Sequence, residues 1–175
     1  MATHANEVLP YFDFTEGLKH SPEERIRICV NCVRFRLIED KLWDIFGVPP
    51  VPDAGANEGE LQRMESQLGM PLPNEYRIFL SLYRYLVMDD GRRIWGFDHQ
   101  GLSIGSPWVS EKHRLGTRYL VFADYWNYAD GDQLMFDLSD PQRTVIAYLH
   151  EHGPLYENFA SSFSLALWRM VHEPS

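Results

Sequence analysis

Cysteine is scarce in this chain, which has 2 cysteines among 175 residues. They form the sequence Cys29-Val-Asn-Cys32, and no second ligand pair accompanies them, as a zinc ribbon requires. No strand pattern precedes the pair, as a thioredoxin-like redox site requires. Both cysteines fall at helical spacing among apolar residues, so we expect them to pack as small core side chains.

The sequence also lacks a long apolar run and an excess of basic residues. No segment approaches the roughly 20 apolar residues of a membrane-spanning helix. The first 20 residues contain acids and no apolar core of a secretory signal, so we expect a cytoplasmic protein. The formal net charge of -9 repels phosphate backbones and anionic lipid surfaces. We therefore expect no nucleic-acid or membrane partner, and basic proteins are the favoured partners.

Familiar catalytic motifs are absent as well. The sequence has no glycine-rich phosphate loop, Walker lysine, Gly-x-Ser-x-Gly elbow or His-Glu-x-x-His helix. One enzymatic candidate is His150-Glu151-His152, because two imidazoles at this spacing on a strand face the same side and suit a transition metal. No third ligand is near, and polar residues at a strand end are also typical of a solvated sheet edge. We predict no enzyme, cofactor or metal, and a metal-dependent enzyme using these histidines is the least favoured alternative.

The composition that remains is that of a globular protein. Hydrophobic residues make up 45% of the chain and aromatic residues 14%, against 23% charged residues.

Ser21-Pro22-Glu23-Glu24 predicts the start of a helix with a capping box. This helix should run to about Phe46, before Gly47 and a proline-rich linker. Its apolar residues cover two stripes, so we expect it to pack on the main domain or on a second copy.

Two further helices are expected before the pattern changes to strands. One starts near Asn57, where Glu60 completes a capping box, and ends at Gly69. The other begins with Pro73 in its first turn, which fits the fixed backbone angle of proline. Its buried stripe consists of Tyr76, Phe79, Leu80 and Tyr83.

Strand patterns follow, and one more helix closes the chain. Residues 85–88 and 92–98 flank Asp89-Asp90-Gly91 as a hairpin, and residues 105–117 read as a loop. A last amphipathic helix starts near Phe163, with Ser161 or Ser162 as its cap. Helices, then a meander, then a helix predict an α+β fold, with an antiparallel sheet covered by helices and an extra N-terminal helix. The other predicted strands are 102–104, 119–124, 133–138 and 144–150.

From Glu60 to Val171 the sequence resembles the SUKH superfamily, the Smi- and Knr-type domain. The resemblance rests on Leu72-Pro73-x-Glu75-Tyr76-Arg77-x-Phe79-Leu80, on Phe122-Ala123-Asp124 and Gly131-Asp132, and on Ser161-Ser162-Phe163 before the last helix. On this basis we divide the chain into a helical extension with a proline-rich linker, residues 1–55, and a SUKH-like domain, residues 56–175.

The resemblance implies a non-catalytic, protein-binding function. Bacterial proteins of this kind are largely immunity proteins, which bind and neutralise a cognate toxin, often a nuclease. Similar fungal domains occur in regulators of the cell wall and of signalling. We therefore expect an immunity protein with a basic toxin as partner. The alternative is a regulatory interaction module, in which the N-terminal helix forms a homodimer or docks a partner.

An acid-rich run between two predicted strands is the candidate site. Four carboxylates in this run could suit a hard cation, but their spacing does not match the calcium loop. Asp130-Gly131-Asp132 is also ordinary turn chemistry, because Asp bonds nearby backbone and Gly accepts a positive φ. The four acids are Asp124, Asp130, Asp132 and Asp137.

The aromatic residues before this turn favour a binding surface, because Tyr and Trp anchor interfaces. The alternative is that Tyr125-Trp126-Asn127-Tyr128 folds back to cover the sheet. We predict partner contacts, with no catalytic or metal role, from Tyr125, Trp126, Tyr128, Asp130 and Asp132, and from Asp124 and Asp137 as secondary acids.

Overall fold

The computed structural model describes residues 9–40, 54–88, 92–97, 103–104, 108–111, 118–126, 131–149 and 155–174. Within them, a short 3-10 turn, Gly17–Lys19, precedes the first α-helix. The described helices are α1 (Pro22–Asp40), α2 (Glu58–Leu68), α3 (Asn74–Tyr83) and α4 (Phe163–His172). The described strands are β1 (Leu86–Val87), β2 (Arg93–Ile94), β3 (Gly96–Phe97), β4 (Ser103–Ile104), β5 (Trp108–Glu111), β6 (Arg118–Asp124), β7 (Gln133–Asp137), β8 (Val145–Leu149) and β9 (Leu155–Ala160).

The main sheet is antiparallel and has the order β1-β2-β6-β7-β8-β9, with β5 also paired to β6. Strands β6 to β9 follow one another along the chain and in space, which is the meander that the sequence predicts. β3 and β4 form a separate pair. Helices pack against the sheet, so the predicted α+β fold is confirmed.

Two strands depart from the sequence-based prediction. The loop predicted over residues 105–117 contains β5, whose Trp108 pairs with Val121 and whose Glu111 pairs with Arg118. Turn-forming and charged residues dominate the sequence around β5, and the strand forms by pairing with β6, the next strand in the chain. β9 was also not predicted, because Leu155–Ala160 lacks regular alternation of apolar and polar residues.

An aromatic cluster between the sheet and the helices forms the centre of the core. Phe122 of β6 and Phe136 of β7 lie with their ring centroids 4.4 Å apart. Phe163 of α4 lies 5.3 Å from Tyr76 and from Phe79 of α3. The Tyr76 hydroxyl donates to the Trp95 carbonyl at 2.8 Å, which satisfies a fully buried polar group. Burial raises the pKa of Tyr76.

The predicted capping boxes of α1 and α2 are present. In α1, the Glu24 amide donates to Ser21 Oγ at 3.3 Å and the Ser21 amide donates to Glu24 Oε2 at 2.7 Å. In α2, Asn57 and Glu60 form the same reciprocal pair, at 3.0 and 2.8 Å. Gly69 ends α2 with φ 75°, in the left-handed region that glycine adopts easily. The predicted continuation of α1 to Phe46 and the proline-rich linker lie outside the described residues.

Helix α1 packs on the main domain, against α4 and α3. Its buried side chains join the same core as the sheet, and Arg25 Nε donates to Ser164 Oγ at 2.9 Å. Cys29 is part of this buried face, so its predicted packing role is confirmed. Burial raises the pKa of the Cys29 thiol, with a smaller contribution from Cys32. Over residues 22–36 of α1, the buried residues are Arg25, Ile26, Cys29, Val30 and Val33.

Candidate partner-binding surface

The candidate surface lies where β6 ends and β7 begins. Asp124 and Gln133 are the last paired residues, and the Tyr125 amide extends the ladder by donating to the Asp132 carbonyl at 2.9 Å. Gly131 has φ 100°, a backbone conformation that favours glycine. The strand pair therefore fixes Asp124, Tyr125 and Asp132 beside one another, as the sequence predicts for this part of the run.

Tyr125 folds back onto the core. Its side chain is fully buried, and its ring meets Phe159 of β9 edge to face at 4.8 Å. Its hydroxyl donates to Glu173 Oε2, next to the end of α4. The following residue, Trp126, is 40% exposed. Tyr125 therefore covers the core, which is one of the two interpretations left open by the sequence. Trp126 exposes its ring to solvent.

The two acids at the base of the loop are buried. Asp124 forms an ion pair with Arg93 Nε, the residue that faces it across β2 and β6. Asp132 is also buried. Tyr128 and Asp130 lie outside the described residues. The described acids of the loop base are thus buried, and Asp124 joins the loop base to β2 through Arg93.

Asp137 lies apart from the other predicted residues. It ends β7, and five residues at about 3.3 Å each separate it from Asp132. Its carboxylate accepts from the Ser139 amide at 2.9 Å and from the Ser139 hydroxyl. Asp137 therefore organises the β7–β8 turn at the far end of the strand, and it is the one described candidate that the fold does not bring to the loop.

A buried ion pair supports the loop base from α4. Arg169 Nη2 donates to Glu173 Oε1 at 2.9 Å, one helical turn away. The same guanidinium donates to the carbonyls of Pro10, at 2.9 Å, and of Phe159, at 3.3 Å. Glu173 in turn accepts from Tyr125. The sequence did not lead us to predict this network. The Arg-x-x-x-Glu spacing on a helix is the pattern that could have indicated the ion pair.

The start of α4 is capped by a residue from another helix. Ser162 occupies the cap position, but its side chain makes no capping hydrogen bond. Instead, Glu75 Oε2 accepts from the Ser164 amide at 2.8 Å. A carboxylate at this position satisfies a free amide and interacts favourably with the helix dipole. The prediction of a serine side-chain cap from Ser162 was wrong, because long-range packing brings a stronger acceptor to the helix start.

We expect Glu75→Ala to lower the free energy of unfolding by about 1 kcal/mol, the usual cost of losing a helix cap. Urea denaturation of the full chain measures this loss. Glu75→Gln keeps an acceptor and should lose less. Ser162→Ala is the matched control, and we expect a change below about 0.5 kcal/mol. Equal losses for Glu75→Ala and Ser162→Ala would contradict this assignment of the cap.

The described residues show how acids, histidines and cysteines are grouped in those parts of the chain, and how apolar the helices there are. No group of three or more His, Cys, Asp or Glu side chains there is arranged to hold a metal ion. His150 and His152 lie outside those parts. No helix in the described ranges is long and apolar enough to cross a membrane.

The fold is an antiparallel sheet covered by helices. A family model described as the SMI1 / KNR4 family (SUKH-1) matches residues 55–167. The match spans more than half of the chain, so this protein belongs to that family. No curated protein matches the chain. Family membership supports the classification of this protein as immunity-like or Smi1/Knr4-type. Domains of this family are generally non-enzymatic and act through protein–protein interaction.

Proposed function

We propose that this protein is an immunity protein, which binds a cognate bacterial toxin and neutralises it by direct contact. The family match over residues 55–167 is the observation that carries the proposal. The net charge of -9 supports a basic partner, since complementary charge accelerates encounter and disfavours wrong partners. Many toxins that act on nucleic acid need a basic surface, so a nuclease is a suitable target class.

We propose the β6–β7 loop as the contact surface. Trp126 is the described residue best placed to act as an anchor, because it is large, aromatic and 40% exposed. Tyr128 and Asp130 follow it in the sequence and complete the proposed contact. Asp124, Tyr125 and Asp132 contribute by fixing the base from which Trp126 projects. Asp137 contributes a more distant acid at the β7–β8 turn.

We expect Trp126→Ala to weaken toxin binding by at least tenfold, because a buried aromatic anchor commonly contributes about 2 kcal/mol or more. The measurement is titration calorimetry with the purified toxin encoded beside the gene, together with survival of cells that express both proteins. Asp130→Lys should weaken binding further through charge repulsion. Phe35→Ala is the matched control, because Phe35 is an exposed aromatic residue on α1. Unchanged affinity and protection in the Trp126 and Asp130 variants would show that the surface is wrong.

The second candidate function is a regulatory module that forms a homodimer through α1. The observation that favours it is Phe35, which is 68% exposed, with Ile28 and Cys32 half-buried nearby on the helix. Deleting α1 would remove core residues, so Phe35→Glu is the better test. This candidate predicts a dimer of the wild-type protein in sedimentation and a monomer of the variant. A wild-type monomer at high concentration would contradict it.

A further inference from the structure

A groove of about 450 Å³ lies between the N-terminal segment and the pair formed by β9 and α4. Apolar side chains from both sides line it, including Phe12, Leu18 and Phe159. Leu18 is 64% exposed, and Tyr11 beside it is 92% exposed. Large apolar side chains gathered in this way at a concave surface are typical of an interaction site.

The charge that the groove offers to a ligand is negative. Asp13 and Glu157 line it, and neither forms an ion pair with a cation among the described residues. Hydrogen bonds from the Thr15 hydroxyl and amide lower the pKa of Asp13, which keeps this carboxylate ionised. Arg169 also lines the groove, but its charge is balanced by Glu173. Within the described residues, the groove therefore combines apolar surface with two carboxylates that form no ion pair.

One wall of the groove is a sheet edge. Across the described strands, β9 pairs with β8 and ends the sheet order. A strand edge presents backbone groups that an extended segment of another chain can pair with. Arg169 holds the two walls at a fixed separation, because it bonds the Pro10 carbonyl on one wall and the Phe159 carbonyl on the other. The groove is thus preformed.

The groove and the loop that carries Trp126 share a buried support. Phe159 lines the groove on one side and contacts the ring of Tyr125 on the other. Tyr125 directly precedes Trp126 in the chain, and both Tyr125 and Phe159 are buried. The packing that positions one wall of the groove therefore also positions the residue before Trp126.

We propose that the groove binds an extended basic segment of the partner, lying along β9 with an apolar side chain beside Leu18 and a Lys or Arg against Asp13 and Glu157. This inference rests on the proposed function, since the partner is the toxin. The groove would be a second contact, with chemistry different from that of the loop. The loop supplies an aromatic anchor, and the groove binds an extended segment with apolar and basic side chains.

Hydrogen exchange of the full chain with and without the purified neighbouring toxin tests the proposal. We expect slower exchange of amides 157–160 and 11–18 in the complex. Leu18→Arg and Glu157→Arg should each weaken binding at least tenfold by placing a cation against the basic segment. Gln67→Arg is the control for Leu18→Arg, with the same change in charge, because Gln67 is exposed on α2 and outside the groove. We expect its affinity to equal that of the wild type.

The outcomes separate the inference from the proposed function. Toxin binding without protection of these amides, and with full affinity in both groove variants, overturns the inference and leaves the function intact. Protection that appears when the chain alone is concentrated assigns the groove to a second copy and also overturns it. A toxin that does not bind the wild-type chain at all overturns the proposed function, and the inference falls with it.

Discussion

Arg169→Met should lower the free energy of unfolding by about 3–5 kcal/mol, the usual cost of leaving one partner of a buried ion pair alone. The substitution keeps the length of an apolar side chain but leaves the Glu173 carboxylate without its cation. It also removes the hydrogen bonds to the carbonyls of Pro10 and Phe159. Because a small domain is stable by roughly 5–15 kcal/mol in total, this is a large share.

Urea denaturation of the single and double variants measures the effect. Arg169→Met combined with Glu173→Leu removes both charges, and we expect it to recover at least half of the loss, because apolar replacement of a buried pair is often tolerated. Recovery should be incomplete, since the Tyr125 hydroxyl then loses its acceptor. A loss below about 1 kcal/mol in the single variant would show that the pair does not hold the N-terminal segment, β9 and the loop base together.

Phe163→Ala should cost about 3–5 kcal/mol, the range for truncating a buried phenylalanine. Phe163 is the first residue of α4, and its ring lies 5.3 Å from Tyr76 and 5.4 Å from Phe122. Removing it leaves a cavity where the sheet, α3 and α4 meet, and the surrounding rings cannot collapse fully into it.

Thermal and urea unfolding of three variants tests this prediction. Phe163→Leu keeps most of the volume, so its loss should be clearly smaller than that of Phe163→Ala. Phe35→Ala removes the same side chain from an exposed site, and we expect a change within about 0.5 kcal/mol. Similar losses for Phe163→Ala and Phe35→Ala would contradict the assignment of Phe163 to the centre of the core.

The elements that depend on local chemistry were predictable from the sequence. Both capping boxes form between residues three apart, and the buried stripe of α3 follows from helical spacing alone. β5 and β9 were missed because their own residues carry a weak strand pattern, and each forms by pairing with the strand that follows or precedes it in the chain.

The hairpin of β6 and β7 was predictable from the sequence, and the burial of its residues was not. The pairing places Asp124 and Asp132 together, as the turn chemistry indicated. Asp124 is buried and pairs with Arg93, 31 residues earlier in the chain. Tyr125 is buried and bonds Glu173, 48 residues further along the chain. Because these contacts depend on the fold, the local sequence does not show that Asp124, Tyr125 and Asp132 are buried while Trp126 is exposed.

The most direct test of the proposed function is a titration of toxin activity with this protein, using the purified toxin encoded by the adjacent gene. Inhibition should be complete near one equivalent, because neutralisation occurs by formation of a stoichiometric complex. Trp126→Ala should shift the titration to higher concentration, and Phe35→Ala should not. Undiminished toxin activity in a tenfold excess of the wild-type protein would contradict the proposed function.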